Sequence, residues 1–149
     1  MIGVLIFPDF QLLDASGPIS VFEIAARYTR QVPAIRVLAV KAGPVRSSSG
    51  AEMLARDLKS ANGISTLIVA GGEGIATASR CETTLAFVRR LARRGVRVAS
   101  VCSGAYVLAE AGLLDGRRAT THWGRTRDFV VRYPKVKFEP DQILSLIHI

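Results

Sequence analysis

Residues 96–105, VRVASVCSGA, place a cysteine directly after a short apolar strand and before a small residue and a glycine. A nucleophile-type residue in this position, followed by the apolar stretch 105–113, is typical of a nucleophile elbow, a sharp turn between a strand and a helix. Gly104 permits the tight turn, and the turn leaves the Cys102 side chain accessible. We therefore expect Cys102 to be the centre of the functional site.

The predicted position of Cys102 at a helix N-terminus also bears on its reactivity. Free backbone N–H groups and the positive end of the helix dipole favour thiolate over thiol, and such sites lower a cysteine pKa to roughly 3.5–7.5. The pattern predicts a nucleophilic thiolate at neutral pH. The alternative is a buried structural cysteine, which is common for this residue type. Cys81 lacks the elbow setting, and we interpret it as a surface or half-buried thiol.

The rest of the chain alternates strands with helices, which predicts an α/β fold with a doubly wound, mostly parallel sheet and helices on both faces. Short continuous apolar runs are typical of parallel strands that are covered on both sides. Gly17-Pro18 is predicted to open the first helix. The predicted strands are residues 2–7, 35–40, 66–70 and 96–101, the predicted helices are 17–28, 82–94 and 105–113, and a hairpin-like or irregular segment with a Ser-rich tip is predicted over 45–54.

Length and composition bound the interpretation. A chain of 149 residues with 49% hydrophobic content fits one compact domain. Its first residues lack the basic leader of a secretory signal, and no apolar run approaches the roughly 20 residues of a membrane-spanning helix. Two cysteines without an export signal fit a reducing compartment. We expect a soluble, cytoplasmic protein that does not contact a membrane.

The net charge of +8 raises the question of nucleic-acid binding. The densest basic run lies within 89–94, on a helical pattern whose opposite face is apolar, so these arginines are expected to form a solvated face. The residues show neither a helix-turn-helix pattern nor zinc-finger spacing. If DNA is a partner, another domain should hold it.

Ligands of doubly wound sheets bind outside the carboxyl ends of the strands, where Gly71-Gly72 follows the strand 66–70. Their backbone N–H groups, together with the N–H of Ser103, are candidates to stabilise an oxyanion. The alternative is a simple tight turn. A phosphate-binding role is not indicated, because the G-x-G-x-x-G spacing and a P-loop lysine are both missing. We expect no cofactor and no metal.

Asp14 and His122 are the candidate orienting and proton-handling groups. Asp14 precedes Gly17-Pro18, so its carboxylate is equally well explained as a helix cap or a hydrated side chain. His122 follows the elbow helix and a turn at Gly116, which brings an imidazole back toward the thiol. The alternative for His122 is a structural histidine.

The residues then match a family. The stretches 101–105 and 108–123, supported by 13–18, 21–23 and 70–72, resemble the DJ-1/PfpI superfamily. More narrowly, they resemble the class I glutamine amidotransferase-like domain at the N-terminus of GlxA-type regulators of the AraC family. The resemblance runs from residue 1 to about residue 143 and implies a flavodoxin-like sheet.

The resemblance also implies roles for matching positions. Cys102 corresponds to the elbow cysteine, Asp14 to the acidic residue that approaches it, and His122 to the histidine of a Thr-His motif. Gly72 and Ser103 match backbone donors of the oxyanion type. PfpI-type proteases carry a histidine where this chain has Ser103, so protease activity is not expected.

Amidotransferase elbows usually carry glycine where this chain has Ser100, and no glutamine-hydrolysing partner signature is visible.

Two functions compete within the family, and whether the domain is an enzyme stays open. The favoured one is a ligand-sensing or dimerising domain of an AraC/GlxA-type regulator, with a small-molecule pocket, a homodimer, and DNA bound only through a C-terminal domain outside this chain. The alternative is an isonitrile hydratase-like enzyme that adds water to an isonitrile and gives an N-substituted formamide. Glyoxalase-like or deglycase chemistry is a weaker third candidate.

The C-terminal sequence departs from the resemblance. Similar domains continue through another strand and a long final helix, whereas residues 144–149 do not match. We therefore expect a DJ-1/PfpI-like domain over 1–143 that is truncated at its C-terminus, with exposed apolar surface that favours association.

Overall fold

A six-stranded sheet forms the centre of the protein in the computed structural model, which describes residues 1–29 and 33–140. The strand order is β3-β4-β2-β1-β5-β6, and every pairing is parallel except that of β3 with β4. This arrangement confirms the predicted mostly parallel sheet. Its strands are β1 (Ile2–Leu5), β2 (Ile35–Ala39), β3 (Gly43–Arg46), β4 (Glu52–Asp57), β5 (Thr66–Val69) and β6 (Arg97–Ser100). A separate two-stranded parallel sheet pairs β7 (Arg118–Ala119) with β8 (Lys137–Phe138).

Strand β1 is the axis of the sheet because it pairs with a strand on each side. Val4 lies between Val37 of β2 and Ile68 of β5. All four residues of β1 are buried, which is why its sequence is a continuous apolar run rather than an alternating one.

Helices cover the sheet on both faces, as right-handed crossovers from β1 to β2 and from β5 to β6 require. On α3, the apolar face packs inward as predicted, with Leu85, Val88 and Leu91 buried. Arg89 bonds through its guanidinium to the carbonyls at the end of α4. The helices are α1 (Leu12–Tyr28), α2 (Ile75–Ala78), α3 (Glu82–Arg93), α4 (Ala105–Glu110) and α5 (Thr126–Arg132).

Two predicted helix boundaries are wrong. Helix α1 begins at Leu12 rather than at Gly17, and Pro18 lies inside it. Tertiary contacts fix the earlier start, because Asp14 and Ala15 in the first turns are buried against the sheet. The helix after the cysteine is shorter than the predicted 105–113: it ends at Glu110, just before Gly112, which has φ +75°.

Four large apolar side chains of α1 are exposed. Leu13, Val21 and Tyr28 expose 69%, 63% and 86% of their surface. Together with Ile24 they follow a helical spacing on a face distinct from the one that packs on the sheet.

The predicted boundary at 143 and the tail 144–149 lie outside the described residues. None of the described helices is long and apolar enough to cross a membrane.

Replacement of Gly104 tests the packing of the turn after β6. A Cβ at this position would overlap the carbonyl oxygen of Val69 and come within 2.8 Å of that of Ala70. We expect Gly104→Ala to lower the free energy of unfolding by about 1–3 kcal/mol, the usual effect of overpacking a filled site. Urea denaturation followed by circular dichroism measures it.

Gly17→Ala is the matched control, because its Cβ meets only Leu13 Cδ1 at 3.9 Å and lies inside α1. This variant should be more stable than the parent by about 0.5–1 kcal/mol. Equal urea midpoints for the two variants would contradict the packing described for Gly104.

Candidate functional site

Cys102 lies on a strained turn directly after β6. Its φ is +55°, and among the described residues other than glycine only Asp9 shares a positive φ. Such a conformation costs about 1–3 kcal/mol and persists only where neighbouring contacts impose it. Here the N–H of Val101 donates to Val69 O at 2.9 Å, and Thr121 Oγ1 donates to the carbonyl of Cys102 at 3.3 Å. These bonds hold the cysteine backbone from both sides.

The turn itself is tighter than the predicted helix start. Residues Cys102–Gly104 form a single 3-10 turn that leads into α4. The helix that follows the thiol has only six residues, so the helix dipole that would favour the thiolate is small.

The two glycines after β5 use their backbone donors within the site. Gly71 N–H donates to Asp14 Oδ2 at 3.0 Å, and Gly72 N–H donates to Ser103 Oγ at 3.0 Å. Ser103 is almost completely buried, so its hydroxyl is fixed in this position. The candidate oxyanion donors at Gly71 and Gly72 are thus already satisfied by side chains.

Gly72 is required by its surroundings. Its φ is +141°, and a Cβ would meet Phe10 Cα and the backbone of the neighbouring loop. Phe10 is fully buried and bridges Gly72 on one side and Ser47 on the other. The loop after β1 therefore forms one wall of the turn that carries Gly72.

Asp14 is the buried carboxyl group of the site. Burial raises the pKa of Asp14, while hydrogen bonds from Gly71 N–H and from the Cys102 thiol, and the charge of His122, partly offset that increase. The carboxyl group projects from the first turns of α1 and connects this helix to the turns after β5 and β6.

The expected lowering of the Cys102 pKa is wrong. Burial and the negative charge of Asp14 raise the pKa of Cys102, and hydrogen bonding of the thiol to the Asp14 carboxylate adds to the increase. Hydrogen bonds with Ser103 act in the opposite direction and do not reverse it. The raised pKa favours the protonated thiol over the thiolate at Cys102.

Cys81 has the opposite shift. Its burial raises the pKa, but hydrogen bonds from Thr84 and Thr83 at the start of α3 outweigh this effect and lower it. The thiol that sequence reasoning left without a role is the more acidic of the two.

His122 lies at the pocket but is bound to its own loop. Its Nδ1 accepts a hydrogen bond from Gly124 N–H at 3.2 Å, and its ring lies 5.2 Å from that of Trp123.

A pocket of about 380 Å³ opens at these residues. It brings together five predicted residues, Asp14, Gly72, Cys102, Ser103 and His122, whereas Gly71 is not among its lining residues. The remaining lining residues, which the sequence interpretation missed, are Gln11, Leu13, Glu73 and Arg125. Glu73 and Gln11 lie just beyond strand ends, where a search could have found them. Arg125 follows no strand and gave no such signal.

Tyr106 fixes the segment that carries Arg125. Its single hydroxyl proton is shared between Asp128 Oδ2 at 2.8 Å and the carbonyl of Arg125 at 3.1 Å, and its ring contacts Phe129 edge to face. Burial and the hydrogen bond to Asp128 raise the pKa of Tyr106, so it stays a donor.

Comparison with protein families and curated proteins places these features in context. The family model for the DJ-1/PfpI family matches residues 1–142. An uncharacterised protein in the cpoL 5′ region of Streptomyces lividans is 42% identical, over 88% of this chain and 93% of its own length. The isonitrile hydratase of Pseudomonas putida is 38% identical, over 82% and 52%. The HTH-type transcriptional regulator GlxA of Rhizobium meliloti is 40% identical, over 82% and 38%.

Solved structures agree on the fold. A ThiJ/PfpI family protein from Pseudomonas syringae is 30% identical with a TM-score of 0.77, and the match covers 93% of this chain and 56% of that one. An AraC family transcriptional regulator from Pseudomonas putida superposes with a TM-score of 0.78 at 19% identity, over 93% and 75%. The chain thus spans about half the length of the named hydratase and less than two fifths of the named regulator.

The two thiols should titrate in the order that their surroundings dictate. We expect the pH midpoint of iodoacetamide alkylation to be higher for Cys102 than for Cys81, measured peptide by peptide with mass spectrometry. Removal of the Asp14 charge removes a cause of the raised pKa, so Asp14→Asn should move the Cys102 midpoint to lower pH.

Asp115→Asn is the control for charge removal, since Asp115 lies on an exposed turn beside Lys135. It should leave the Cys102 midpoint in place. A Cys102 midpoint at or below that of Cys81, or an unchanged midpoint in Asp14→Asn, would refute the assignment.

Proposed function

The chain belongs to the DJ-1/PfpI family, and from that premise we propose that it is the small-molecule-sensing domain of an AraC/GlxA-type transcriptional regulator, with Cys102 in its ligand pocket. In this proposal the domain binds a small molecule without consuming it. DNA is bound by a separate domain, and the protein works in the cytoplasm.

The occupied donors at Gly71 and Gly72 carry the proposal. Addition to a carbon electrophile places negative charge on the substrate, and catalysts stabilise it with N–H groups that are free to receive it. Here Gly71 N–H is bound by Asp14 and Gly72 N–H by the buried hydroxyl of Ser103. Two of the three candidate donors are therefore occupied before a ligand binds, which suits recognition better than turnover.

The protonation state of Cys102 supports the same conclusion. A neutral thiol is a weak nucleophile, and the raised pKa of Cys102 keeps the thiolate fraction small at neutral pH. The thiol then contributes a polar, partly buried wall to the pocket.

The regulator relatives supply the wider context. GlxA and a second regulator, CdhR of Pseudomonas aeruginosa, align over 82% and 89% of this chain while the chain covers 38% and 39% of them. We propose a homodimer as the working form, since the exposed apolar side of α1 offers a surface for association: Leu13, Val21, Ile24 and Tyr28.

An isonitrile hydratase-like activity is the second candidate, and the contact between Cys102 and Asp14 favours it. The carboxylate that accepts the thiol hydrogen bond is placed to take the proton when sulfur attacks the terminal isonitrile carbon. That proton then passes to the substrate, and water releases an N-substituted formamide and restores the thiol.

Exposure to an isonitrile separates the two functions. We expect the protein to convert cyclohexyl isonitrile to the formamide no faster than its Cys102→Ala variant does, because Gly72 N–H is not free to stabilise charge. Formamide is followed by proton NMR, and circular dichroism verifies that both proteins are folded. Repeated turnover that disappears in Cys102→Ala and Asp14→Asn would overturn the sensor proposal and establish the enzyme.

The source gene provides an independent test. Sequencing past codon 149 should show an open frame that continues into a helix-turn-helix domain. A stop codon soon after a completed DJ-1/PfpI domain would count against the regulator.

A further inference from the structure

We propose that the pocket at Cys102 selects a small organic anion and binds its carboxylate through Arg125. The proposal rests on the proposed function in one respect, namely that this pocket binds a small molecule. It adds the chemical class of that molecule and the residue that recognises it.

Arg125 is held in a position suited to recognition. Its N–H donates to His122 O at 2.9 Å, and its carbonyl accepts from the Tyr106 hydroxyl at 3.1 Å. Two backbone bonds therefore fix the root of the side chain, while 35% of the side chain remains exposed at the pocket. A guanidinium fork that is already positioned binds a carboxylate with less loss of conformational freedom.

Glu73 occupies the guanidinium when the pocket holds no anion. Its Oε2 lies 3.3 Å from Arg125 Nη2, and 78% of its side chain is exposed. Pairs this exposed are weak, because water solvates the released carboxylate almost as well. A ligand carboxylate that is buried in the pocket can therefore replace Glu73, which makes the pair a built-in competitor for the ligand.

Beside Glu73, Asp14 is the lining group whose negative charge opposes a ligand anion. Asp14 carries the one further carboxyl group of the lining, and it is bound by Gly71 N–H and the Cys102 thiol. Gln11 contributes an uncharged amide, and Arg125 is the permanently charged cation of the lining. The net charge of +8 attracts anions to the protein as a whole.

Two alkylating reagents of nearly equal size test the selection, since iodoacetate carries a carboxylate and iodoacetamide does not. In both reactions Cys102 sulfur bonds to the methylene carbon, the carbon–iodine bond breaks, iodide leaves, and the thiol proton passes to water. The measured quantity is the rate with iodoacetate divided by the rate with iodoacetamide, obtained for each cysteine by peptide mass spectrometry. Cys81 serves as the internal reference, because it lies outside the pocket.

We expect the iodoacetate preference to be higher at Cys102 than at Cys81. Arg125→Gln should lower the Cys102 ratio by about threefold to fivefold, the contribution of a half-exposed charge pair. Glu73→Gln should raise it, because it removes the competitor. Arg127→Gln, an equal loss of charge at an exposed position of α5 outside the pocket, should leave it unchanged.

Equal ratios at the two cysteines, or equal ratios in Arg125→Gln and Arg127→Gln, would overturn the anion proposal. Labelling of Cys81 with no labelling of Cys102 by either reagent, even at a pH where both thiols are ionised, would show that small molecules do not enter, and would overturn the binding pocket together with its selectivity. Turnover of the isonitrile would overturn the sensor proposal alone. The preference of Cys102 for an anionic reagent would still be decided by the ratio of its iodoacetate and iodoacetamide rates.

Discussion

The positive φ of Cys102 is the constraint on which the rest of the site depends. The chain leaves β6, bonds once more to β5 through Val101 N–H, and then reverses within three residues. The reversal requires a residue without a side chain at Gly104, where the carbonyls of Val69 and Ala70 approach the backbone. Thr121 closes the arrangement from the other side through the Cys102 carbonyl. The thiol and Ser103 are consequently placed beside Gly71 and Gly72.

The proximity of the Cys102 thiol to the Asp14 carboxylate then decides the chemistry. The negative charge of Asp14 raises the pKa of Cys102, and the hydrogen bond from the Cys102 thiol lowers the pKa of Asp14. Burial raises both pKa values. The thiol keeps its proton and donates a hydrogen bond to the carboxylate, while the glycine donors are satisfied by Asp14 and Ser103. These polar groups of the site therefore already have hydrogen-bond partners within the protein. Such an arrangement suits the proposed recognition role better than the stabilisation of a transition state.

The sheet could be predicted from the sequence more accurately than the site. Strands such as β1 could be predicted because burial on both faces produces an unbroken apolar run. The start of α1 was missed because Gly17-Pro18 resembles a helix opening, whereas the burial of Asp14 and Ala15 fixes the first turn. Local rules do not include such long-range contacts.

The same limit explains the errors at the site. Asp14, Cys102 and His122 were identified from their motifs, and the structure brings them to one pocket. The sign of the Cys102 pKa shift was wrong because the helix-terminus rule considers the neighbouring turn and ignores a carboxylate that arrives from α1. Arg125 was missed because its position depends on Tyr106 and not on a strand end.

A titration of thiolate ultraviolet absorbance in Cys81→Ser tests the central claim directly, since Cys102 is then the sole thiol. We expect the midpoint of thiolate absorbance to lie above the ordinary cysteine pKa of about 8.5, and to move to lower pH when Asp14→Asn is added. Thiolate absorbance already present at neutral pH, unaffected by Asp14→Asn, would contradict it.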